Sequence, residues 1–229
     1  MHIAFDIETT GLDFEADNIT CAATRRVNDD GTVAARVWHS DFAAQMTTES
    51  LVALVDYLHD AWLAGCEVVT FNGAKFDFAM VAIKLATEPG AVARVRQLAA
   101  NHRDIMLQFT AEHGYYASMD SFARGCGLAP KTWDGAAAAE AWQTGATADK
   151  QKVLDYCGED VRCLSDLYLY IKNNGHAIRV TRRGHRQHVP FPAFKSAREA
   201  LVVAAANPPD TSWMDSPPDL FEGTAWMDA

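Results

Sequence analysis

The sequence predicts an α/β protein that is built on a mixed sheet. Three β-prone segments open the chain, and an Asp-Gly pair at residues 30–31 predicts a hairpin between the second and the third. An amphipathic helix, another apolar strand and a further helix follow, which is the alternation typical of α/β folds. The chain has 229 residues, of which 49% are hydrophobic, and this is ample material for a core.

The first half of the chain holds the predicted sheet, and three antiparallel strands are the simplest arrangement of its first part. Thr47 or Thr48 caps the first helix and Gly65 ends it, whereas the turn Asn72-Gly73 separates the fourth strand from the second helix. Strands are predicted at residues 3–12, 18–27, 32–39 and 67–71, and helices at residues 47–65 and 75–86.

The second half is predicted to be mainly helical. Residues 90–131 should form two or three shorter helices, residues 134–145 a loop or a short helix, and residues 148–174 a long helix that Gly175 ends. Breaks between the shorter helices are expected at Gly114, Gly125, Gly127 and Pro130. The remaining predicted elements are a hairpin of residues 177–181 and 187–191 and a short helix at residues 192–206.

The predicted organisation is an α/β domain at residues 1–175, a basic hairpin and helix extension at 176–206, and an acidic tail with Pro and Trp at 207–229. No stretch approaches the roughly 18 apolar residues of a membrane span, and the opening segment does not resemble a secretion signal. The five cysteines form no Cys-x-x-Cys pair, which favours reduced thiols. We therefore expect a cytoplasmic protein that does not bind a membrane.

Two acidic residues lie two positions apart in the opening segment FDIETTGL. Side chains at this spacing point to the same face of a strand, so Asp6 and Glu8 should lie side by side. Two neighbouring carboxylates repel each other, and a divalent cation relieves the repulsion because hard cations bind carboxylate oxygens. The pair therefore indicates a metal site, and a solvated acidic face is the alternative interpretation.

Two later segments carry further candidate residues. In FNGAKFD, Asp77 falls in the first turn of a helix beyond a buried strand, where ligands collect in α/β sheets, although an acid at this position also satisfies the helix dipole. In YCGEDV, Asp160 lies on the apolar face of the long helix, one turn after Tyr156. A carboxylate buried there needs a ligand or a hydrogen bond to Tyr or Arg. Gly158 within this helix suggests that another element approaches closely.

Together the three segments resemble the DEDD, or DnaQ-like, family of 3′-to-5′ exonucleases, in the subclass with a catalytic tyrosine. FDIETTGL looks like the first motif of the family, and FNGAKFD is similar to the second as it occurs in proofreading domains of family B DNA polymerases. YCGEDV looks like the third motif of ribonuclease D and family A proofreading domains. The resemblance covers roughly residues 1–175 and implies an RNase H-like fold, with a five-stranded sheet that begins with three antiparallel strands.

The resemblance also implies roles for individual residues. The implied ligands of two Mg²⁺ or Mn²⁺ ions are Asp6, Glu8, Asp77 and Asp160. Such ions generate the nucleophile and neutralise the leaving 3′ oxygen. Tyr156 would order the attacking water, since a tyrosine with a pKa near 10 is a poor base at neutral pH. The residues implied to contact the terminal nucleotide are Thr9, Thr10, Leu12 and Asn72.

The net charge of −10 is unevenly distributed along the chain. Residues 172–198 carry seven Lys or Arg and no acid, whereas residues 207–229 carry five acids and no base. Local fields decide where a polyanion docks, and an acidic site needs cations elsewhere to attract one. We expect Arg182, Arg183 and Arg186 to guide the nucleic-acid backbone, with a solvated hairpin face as the alternative.

The function predicted from the sequence is a stand-alone, metal-dependent 3′-to-5′ exonuclease that removes 5′-mononucleotides from the 3′ ends of single-stranded DNA. DNA is favoured by the similarity to proofreading domains, so an exoribonuclease is the nearest alternative. A nucleic-acid-binding or polymerase-partner module without catalysis is the alternative from another class. The similarity also implies a DNA polymerase or replication protein as a partner in trans.

Overall fold

The computed structural model describes residues 1–129, 133 and 135–228. Its central sheet has the strand order β3-β2-β1-β4-β5. The strands are β1 (His2–Thr9), β2 (Ile19–Val27), β3 (Val33–Trp38), β4 (Glu67–Thr70) and β5 (Arg103–Asp104). The first three strands are antiparallel neighbours, and β1, β4 and β5 run parallel. The prediction of a mixed sheet that begins with three antiparallel strands is confirmed.

β5 lies in a region where only helices were predicted from the residue pattern. It consists of Arg103 and Asp104, which pair with Val69 and Thr70 of β4. A strand of two residues cannot display the alternation by which strands are recognised, so the pattern does not reveal it. β5 extends the sheet beyond β4 and places Asp104 at the start of the next helix.

Helices cover both faces of the sheet. They are α1 (Thr48–Leu63), α2 (Asp77–Lys84), α3 (Pro89–Asn101), α4 (Ile105–His113), α5 (Met119–Cys126), α6 (Gly135–Thr144), α7 (Thr147–Asn174) and α8 (Ala197–Ala206). Thr47 caps α1 through its hydroxyl, as predicted. The predicted breaks at Gly114 and Gly127 and the predicted helix end at Gly175 coincide with the ends of α4, α5 and α7.

Three predicted boundaries are wrong. Gly125 does not interrupt α5 but lies inside it. A glycine is needed there because the backbone of residues 178–179 packs directly against the helix at this position. α2 begins at Asp77 rather than near residue 75, since Asn72 and the residues after it form a turn. α8 begins at Ala197 rather than at residue 192, because Ser196 and Glu199 form a capping box there. The break predicted at Pro130 lies outside the described residues.

The central strand β1 has two different faces. Ile3, Phe5 and Ile7 pack into a hydrophobic core with residues of α1, α2 and α3. Ala4 faces the opposite way and joins a second core, to which α7 contributes most of its apolar side chains. Because side chains alternate along a strand, Asp6 and Glu8 lie on the same face as Ala4, the face that α7 covers.

The basic extension forms the predicted hairpin, with β6 (His176–Val180) and β7 (Arg186–Pro190) shifted by one residue from the predicted strands. The hairpin packs against α5, where a Cβ atom at Gly125 would lie 2.0 Å from the carbonyl oxygen of Ile178. The backbone N–H of Ile178 donates to the Cys126 sulfur at 3.4 Å, and Arg186 donates to the Gly125 carbonyl at 2.7 Å. A helix and a strand therefore meet backbone to backbone.

The acidic tail folds back onto the sheet domain. Leu220 and Met227 are buried in the core around α1, α2 and α3. The Trp226 indole donates to the carbonyl of Ala74 at 3.1 Å, and Lys75 Nζ lies 2.5 Å from the carbonyl oxygen of Asp219. The tail therefore rests on the turn that carries the second motif, and it ends in a short 3₁₀ helix, Ala225–Asp228. Across the described ranges, we find no helix whose length and apolarity would suffice to span a membrane.

Candidate active site

Asp6 and Glu8 lie near the carboxyl end of β1, where the strand becomes irregular. Glu8 pairs with Cys21 of β2, but Thr9 pairs with Ile19, so the register shifts by one residue between them. Such bulges bend a strand and redirect its side chains. Oxygen atoms of the Asp6 and Glu8 carboxylates and the sulfur of Cys157 lie within 4.8 Å of one another. Three atoms that can bind a metal ion therefore lie close enough together to share one ion.

Asp77, the first residue of α2, lies beside the same stretch of β1. The parallel pairing of β1 with β4 ends at Ala4 and Val69, so β1 extends beyond its neighbour. Asp77 Oδ1 accepts a hydrogen bond from the backbone N–H of Ile7 at 3.1 Å, and the Asp77 side chain is buried. The contact places this carboxyl group beside the backbone segment between Asp6 and Glu8.

Asp104, which was not among the residues predicted for the site, holds the turn that carries Asn72. The carboxylate of Asp104 accepts from the N–H groups of Asn72 and Ala74 at 2.9 and 3.0 Å, and from that of Leu107 at 3.0 Å. Burial alone would raise the pKa of Asp104, but the His102 ring, whose Nε2 lies 3.6 Å from Asp104 Oδ2, and the hydrogen bonds from the backbone lower it. Asn72 itself has a φ of 78°, a left-handed conformation that the turn imposes.

Helix α7 contributes Tyr156 and Asp160, which are both buried and lie one turn apart. The Cys157 sulfur lies 3.9 Å from the backbone oxygen of Asp6, so α7 rests directly on β1. A hydrogen bond with Cys21, burial and the neighbouring carboxylates raise the pKa of the Cys157 thiol well above its usual range.

The close approach that was expected at Gly158 is not found. A Cβ atom at this position would lie 3.8 Å from Val37 Cγ2, which is an ordinary contact distance. The glycine therefore serves no packing purpose that the structure shows.

Two clefts open beside the acidic residues, and Gly135 lines both. The first cleft has a volume of about 480 Å³, and Asp6, Tyr156 and Trp133 are among the residues that line it. The Trp133 ring lies edge-on to the Tyr156 ring, with 6.1 Å between the ring centroids. The second has a volume of about 550 Å³ and is lined by Glu8 and by the predicted substrate contacts Thr9, Thr10 and Leu12. A larger groove of about 580 Å³ lies between Phe14, α2, α3 and Trp226, but its lining is mainly apolar.

The residues predicted to bind nucleotide differ in whether their side chains already make contacts within the protein. The Thr9 hydroxyl donates to the Gly11 carbonyl at 2.6 Å, and the Thr10 hydroxyl donates to Asp17 at 2.9 Å. Both hydroxyls thus stabilise the loop after β1. The side chain of Leu12, in contrast, is 80% exposed at the mouth of the second cleft.

The predicted arginines lie on the hairpin rather than in the clefts. Arg182 and Arg183 are exposed in the turn between β6 and β7. Arg186, although exposed as well, anchors the hairpin to Gly125 of α5. Since the first residues of α5 line the first cleft, the hairpin and the cleft are attached to the same helix.

The carboxylates fit Mg²⁺ or Mn²⁺, which prefer oxygen ligands. Asp6 and Glu8 supply two adjacent carboxylates, and Asp77 lies beside the strand segment between them. Asp160, buried on the α7 face toward the sheet, would be the fourth ligand. Cys157 adds a sulfur that the sequence-based ligand set does not contain, although it directly follows Tyr156 in the third motif.

A family model of the RNase H superfamily matches residues 3–172, which is most of the chain. The chain belongs to the RNase H superfamily. The matched region includes the five sheet strands and the candidate residues up to Asp160, and it ends before the basic hairpin. The expected RNase H-like fold is thereby confirmed.

Comparison with curated proteins gave no match. Among solved structures, Escherichia coli exonuclease I in complex with a dA16 oligonucleotide is similar at 11% identity and a TM-score of 0.46, covering 75% of this chain and 40% of that chain. A complex titled ExoI/SSB-Ct has 12% identity and a TM-score of 0.40, covering 68% and 42%. A structure described as the apo form of the nuclease has 19% identity and a TM-score of 0.33, covering 75% and 72%. The chain thus spans about two fifths of the length of the exonuclease I chains.

Proposed function

We propose that this member of the RNase H superfamily is a metal-dependent 3′-to-5′ exonuclease of the DEDD type with a catalytic tyrosine. Its substrate would be the 3′ end of single-stranded DNA, and its product a 5′-mononucleotide. One observation carries the proposal. Asp6 and Glu8 lie together on β1, Asp77 of α2 accepts a hydrogen bond from the backbone between them, and Tyr156 of α7 lines the same cleft as Asp6, although these three elements are distant in sequence.

The roles follow from the chemistry of the side chains. When bound, divalent ions supply positive charge that stabilises the attacking and leaving oxygens of a phosphodiester. Asp6, Glu8, Asp77 and Asp160 would hold these ions, and the shared cleft of Asp6 and Tyr156 supports a role for the Tyr156 hydroxyl beside them. Tyr156 would orient the attacking water through its hydroxyl, while the loop residues up to Leu12 line the space for the terminal nucleotide.

The reaction balances without any further reagent. The water oxygen bonds to the phosphorus between the last two nucleotides, and the bond from phosphorus to the 3′ oxygen breaks. That oxygen takes up a proton and remains on the shortened strand as a hydroxyl group. The terminal nucleotide leaves with its 5′ phosphate.

The experiment compares Asp6→Asn and Asp160→Asn with the parent protein and with Asp155→Asn. Asp155 is a matched control, since it lies on α7 next to Tyr156 but is exposed. End-labelled single-stranded DNA, single-stranded RNA and duplex DNA are incubated with Mg²⁺, Mn²⁺ or a chelator, and Mg²⁺ binding is measured by calorimetry. We expect both site variants to lose nearly all turnover and the Asp155 variant to keep it. Without metal, the melting temperature of Asp6→Asn should equal or exceed that of the parent, because carboxylate repulsion is relieved.

Other outcomes assign the alternatives. Faster cleavage of RNA than of DNA would make the protein an exoribonuclease. Binding of oligonucleotides without turnover in either metal would make it a nucleic-acid-binding or polymerase-partner module. Substantial turnover by Asp6→Asn, or full activity in chelator, contradicts the metal mechanism. A DNA polymerase or another replication protein as partner in trans remains part of the proposal, and co-purification with the native protein would test it.

A further inference from the structure

Trp213, in the acidic tail, is exposed but held in a fixed position. Its side chain is 65% exposed, whereas tryptophan is usually mostly buried. The indole N–H donates to the Asp210 carbonyl at 3.1 Å, and the ring meets that of Tyr115 at a centroid distance of 6.0 Å and an angle of 70°. An exposed ring that is already ordered loses little conformational entropy when a flat ligand stacks on it.

The tail segment that carries Trp213 is packed onto the loop before α5. A Cβ atom at Gly114 would lie 2.5 Å from Thr211 Cγ2 and 3.2 Å from Pro209 Cγ. Gly114 also has a φ of 79°, which disfavours any side chain. The close contact holds Trp213 against Tyr115, the residue that follows Gly114.

A cation from the hairpin joins these aromatic rings. The Arg179 guanidinium lies 4.7 Å from the ring centre of Tyr115, and Arg179 donates to the Tyr115 hydroxyl at 3.0 Å. Arg179 belongs to β6, which leads to the exposed Arg182 and Arg183. Arg179 thus links the hairpin to the aromatic pair of Tyr115 and Trp213.

Part of the basic segment is not available to a ligand. Lys172, Lys195 and Arg198 pair with Glu67, Glu112 and Asp228. The positive charge at the hairpin turn therefore comes from Arg182 and Arg183. Near Trp213 the tail also carries Asp210, whose carboxylate accepts a hydrogen bond from the Ser212 N–H at 3.0 Å. The electrostatic potential around Trp213 therefore has a negative contribution as well as a positive one.

The surface around Tyr115 begins close to the candidate active site. Tyr115 precedes Ser118 by three residues, and Ser118 lines the cleft that contains Asp6 and Tyr156. Three residues of extended chain span about 10 Å at most. A strand whose 3′ end lies in the cleft would therefore reach Tyr115 and Trp213 within a few nucleotides.

We infer that Trp213 and Tyr115, with Arg179, Arg182 and Arg183 beside them, bind the single-stranded segment upstream of the 3′ end. Bases would stack on the Trp213 ring and phosphates would pair with the arginines, which is how proteins without sequence preference bind single strands. The inference rests on the proposed function and extends it, since it gives the tail a role in substrate binding. Unpaired bases are required for stacking, so the surface selects single strands over duplexes.

The test measures affinity with fluorescent oligonucleotides in the Asp160→Asn background, where cleavage is prevented. Trp213→Ala should raise the Kd for a single strand of about twenty nucleotides roughly 5-fold or more, because stacking on one aromatic ring contributes about 5- to 150-fold in affinity. Trp213→Phe should restore most of the affinity. Leu63→Ala is the matched control, since Leu63 is 66% exposed at the end of α1. A dinucleotide, which fills only the cleft, should bind all variants alike.

The arginines are tested by salt dependence. Replacing Arg182 and Arg183 with Ala should flatten the plot of log affinity against log salt by about 0.7 for each lost phosphate contact. Equal affinities of Trp213→Ala and Leu63→Ala for the long strand would overturn the inference, and so would equal losses for the long strand and the dinucleotide. If the otherwise unmodified protein still cleaves single strands in that case, only the upstream surface is refuted. If it neither binds nor cleaves them, the proposed function fails instead.

Discussion

Two glycines inside helices provide the sharpest test of the packing, because the structure predicts opposite effects for the same substitution. Gly125 lies in α5 and Gly158 in α7. A Cβ atom at Gly125 would lie 2.0 Å from the Ile178 oxygen and 2.4 Å from its carbonyl carbon, which are backbone atoms of β6. A Cβ atom at Gly158 would make only the 3.8 Å contact with Val37. We therefore expect Gly158→Ala to stabilise the protein and Gly125→Ala to destabilise it.

The magnitudes follow from helix propensity and overpacking. Alanine is more favourable than glycine in a helix interior by about 0.5–1 kcal/mol, and Gly158→Ala should realise this gain. For a chain of this size, that corresponds to a rise of the melting temperature by about 1–4 °C. At Gly125 the same gain is opposed by an overlap that no side-chain rotation relieves, and overpacking typically costs about 1–3 kcal/mol. The expected net loss is up to about 2.5 kcal/mol, or up to roughly 10 °C.

Thermal unfolding followed by circular dichroism or calorimetry measures both effects. The overlap at Gly125 should also push the hairpin away from α5, so this variant should bind single strands more weakly. Gly158→Ala should keep its nuclease activity, because the substitution leaves Tyr156 and Asp160 in place. A stable Gly125→Ala variant with unchanged binding, or a destabilised Gly158→Ala variant, would refute the reasoning.

Tyr156→Phe deletes only the hydroxyl group, so kcat should fall by about ten- to a thousand-fold while the calorimetric Mg²⁺ affinity stays the same. An unchanged kcat, with chemistry limiting the rate, would leave the tyrosine a purely structural role. Acid should destabilise the fold through two residues at the other end of the sheet. Burial, together with Lys172, lowers the pKa of His2 from 6.5 to about 4. Burial alone would raise the pKa of Glu67, but hydrogen bonds from Lys172 and Tyr168 lower it from 4.5 to about 2. Both pKa values are lower in the folded protein than in the unfolded chain, so the unfolded chain binds protons at a higher pH than the folded protein does. The melting temperature should therefore drop as the pH falls from about 6.5 towards 2. His2→Gln should flatten this drop between pH 6.5 and 4, and an unchanged slope in that variant would show that His2 does not cause it.

Local pattern was sufficient for elements whose signals lie within a few residues. The Asp-Gly turn, the threonine cap of α1 and the glycine end of α7 each depend on a backbone geometry that one or two residues favour. The alternation along β1 likewise requires Asp6 and Glu8 to share a face, whatever packs there. These predictions hold because neighbours in sequence determine them.

Other features depend on partners that are distant in sequence. Asp104 holds the Asn72 turn from 30 residues away, and the role of Gly125 becomes visible only when β6 lies against it. Cys157 comes next to the acids of β1 because α7 rests on that strand, and the third motif around Cys157 did not indicate that its sulfur would join them. Trp213 meets Tyr115 for the same reason.

The sequence by itself determined the α/β class, the three antiparallel strands and the order of three acidic motifs, since periodicity, turn chemistry and spacing are local properties. Only the tertiary structure decided which side chains share a cleft, which arginines remain exposed, and that the acidic tail packs beside Tyr115 and on the Ala74 turn. The physical reason is that van der Waals contacts and hydrogen bonds act over a few ångströms in space. Their partners are selected by the packing of the whole chain.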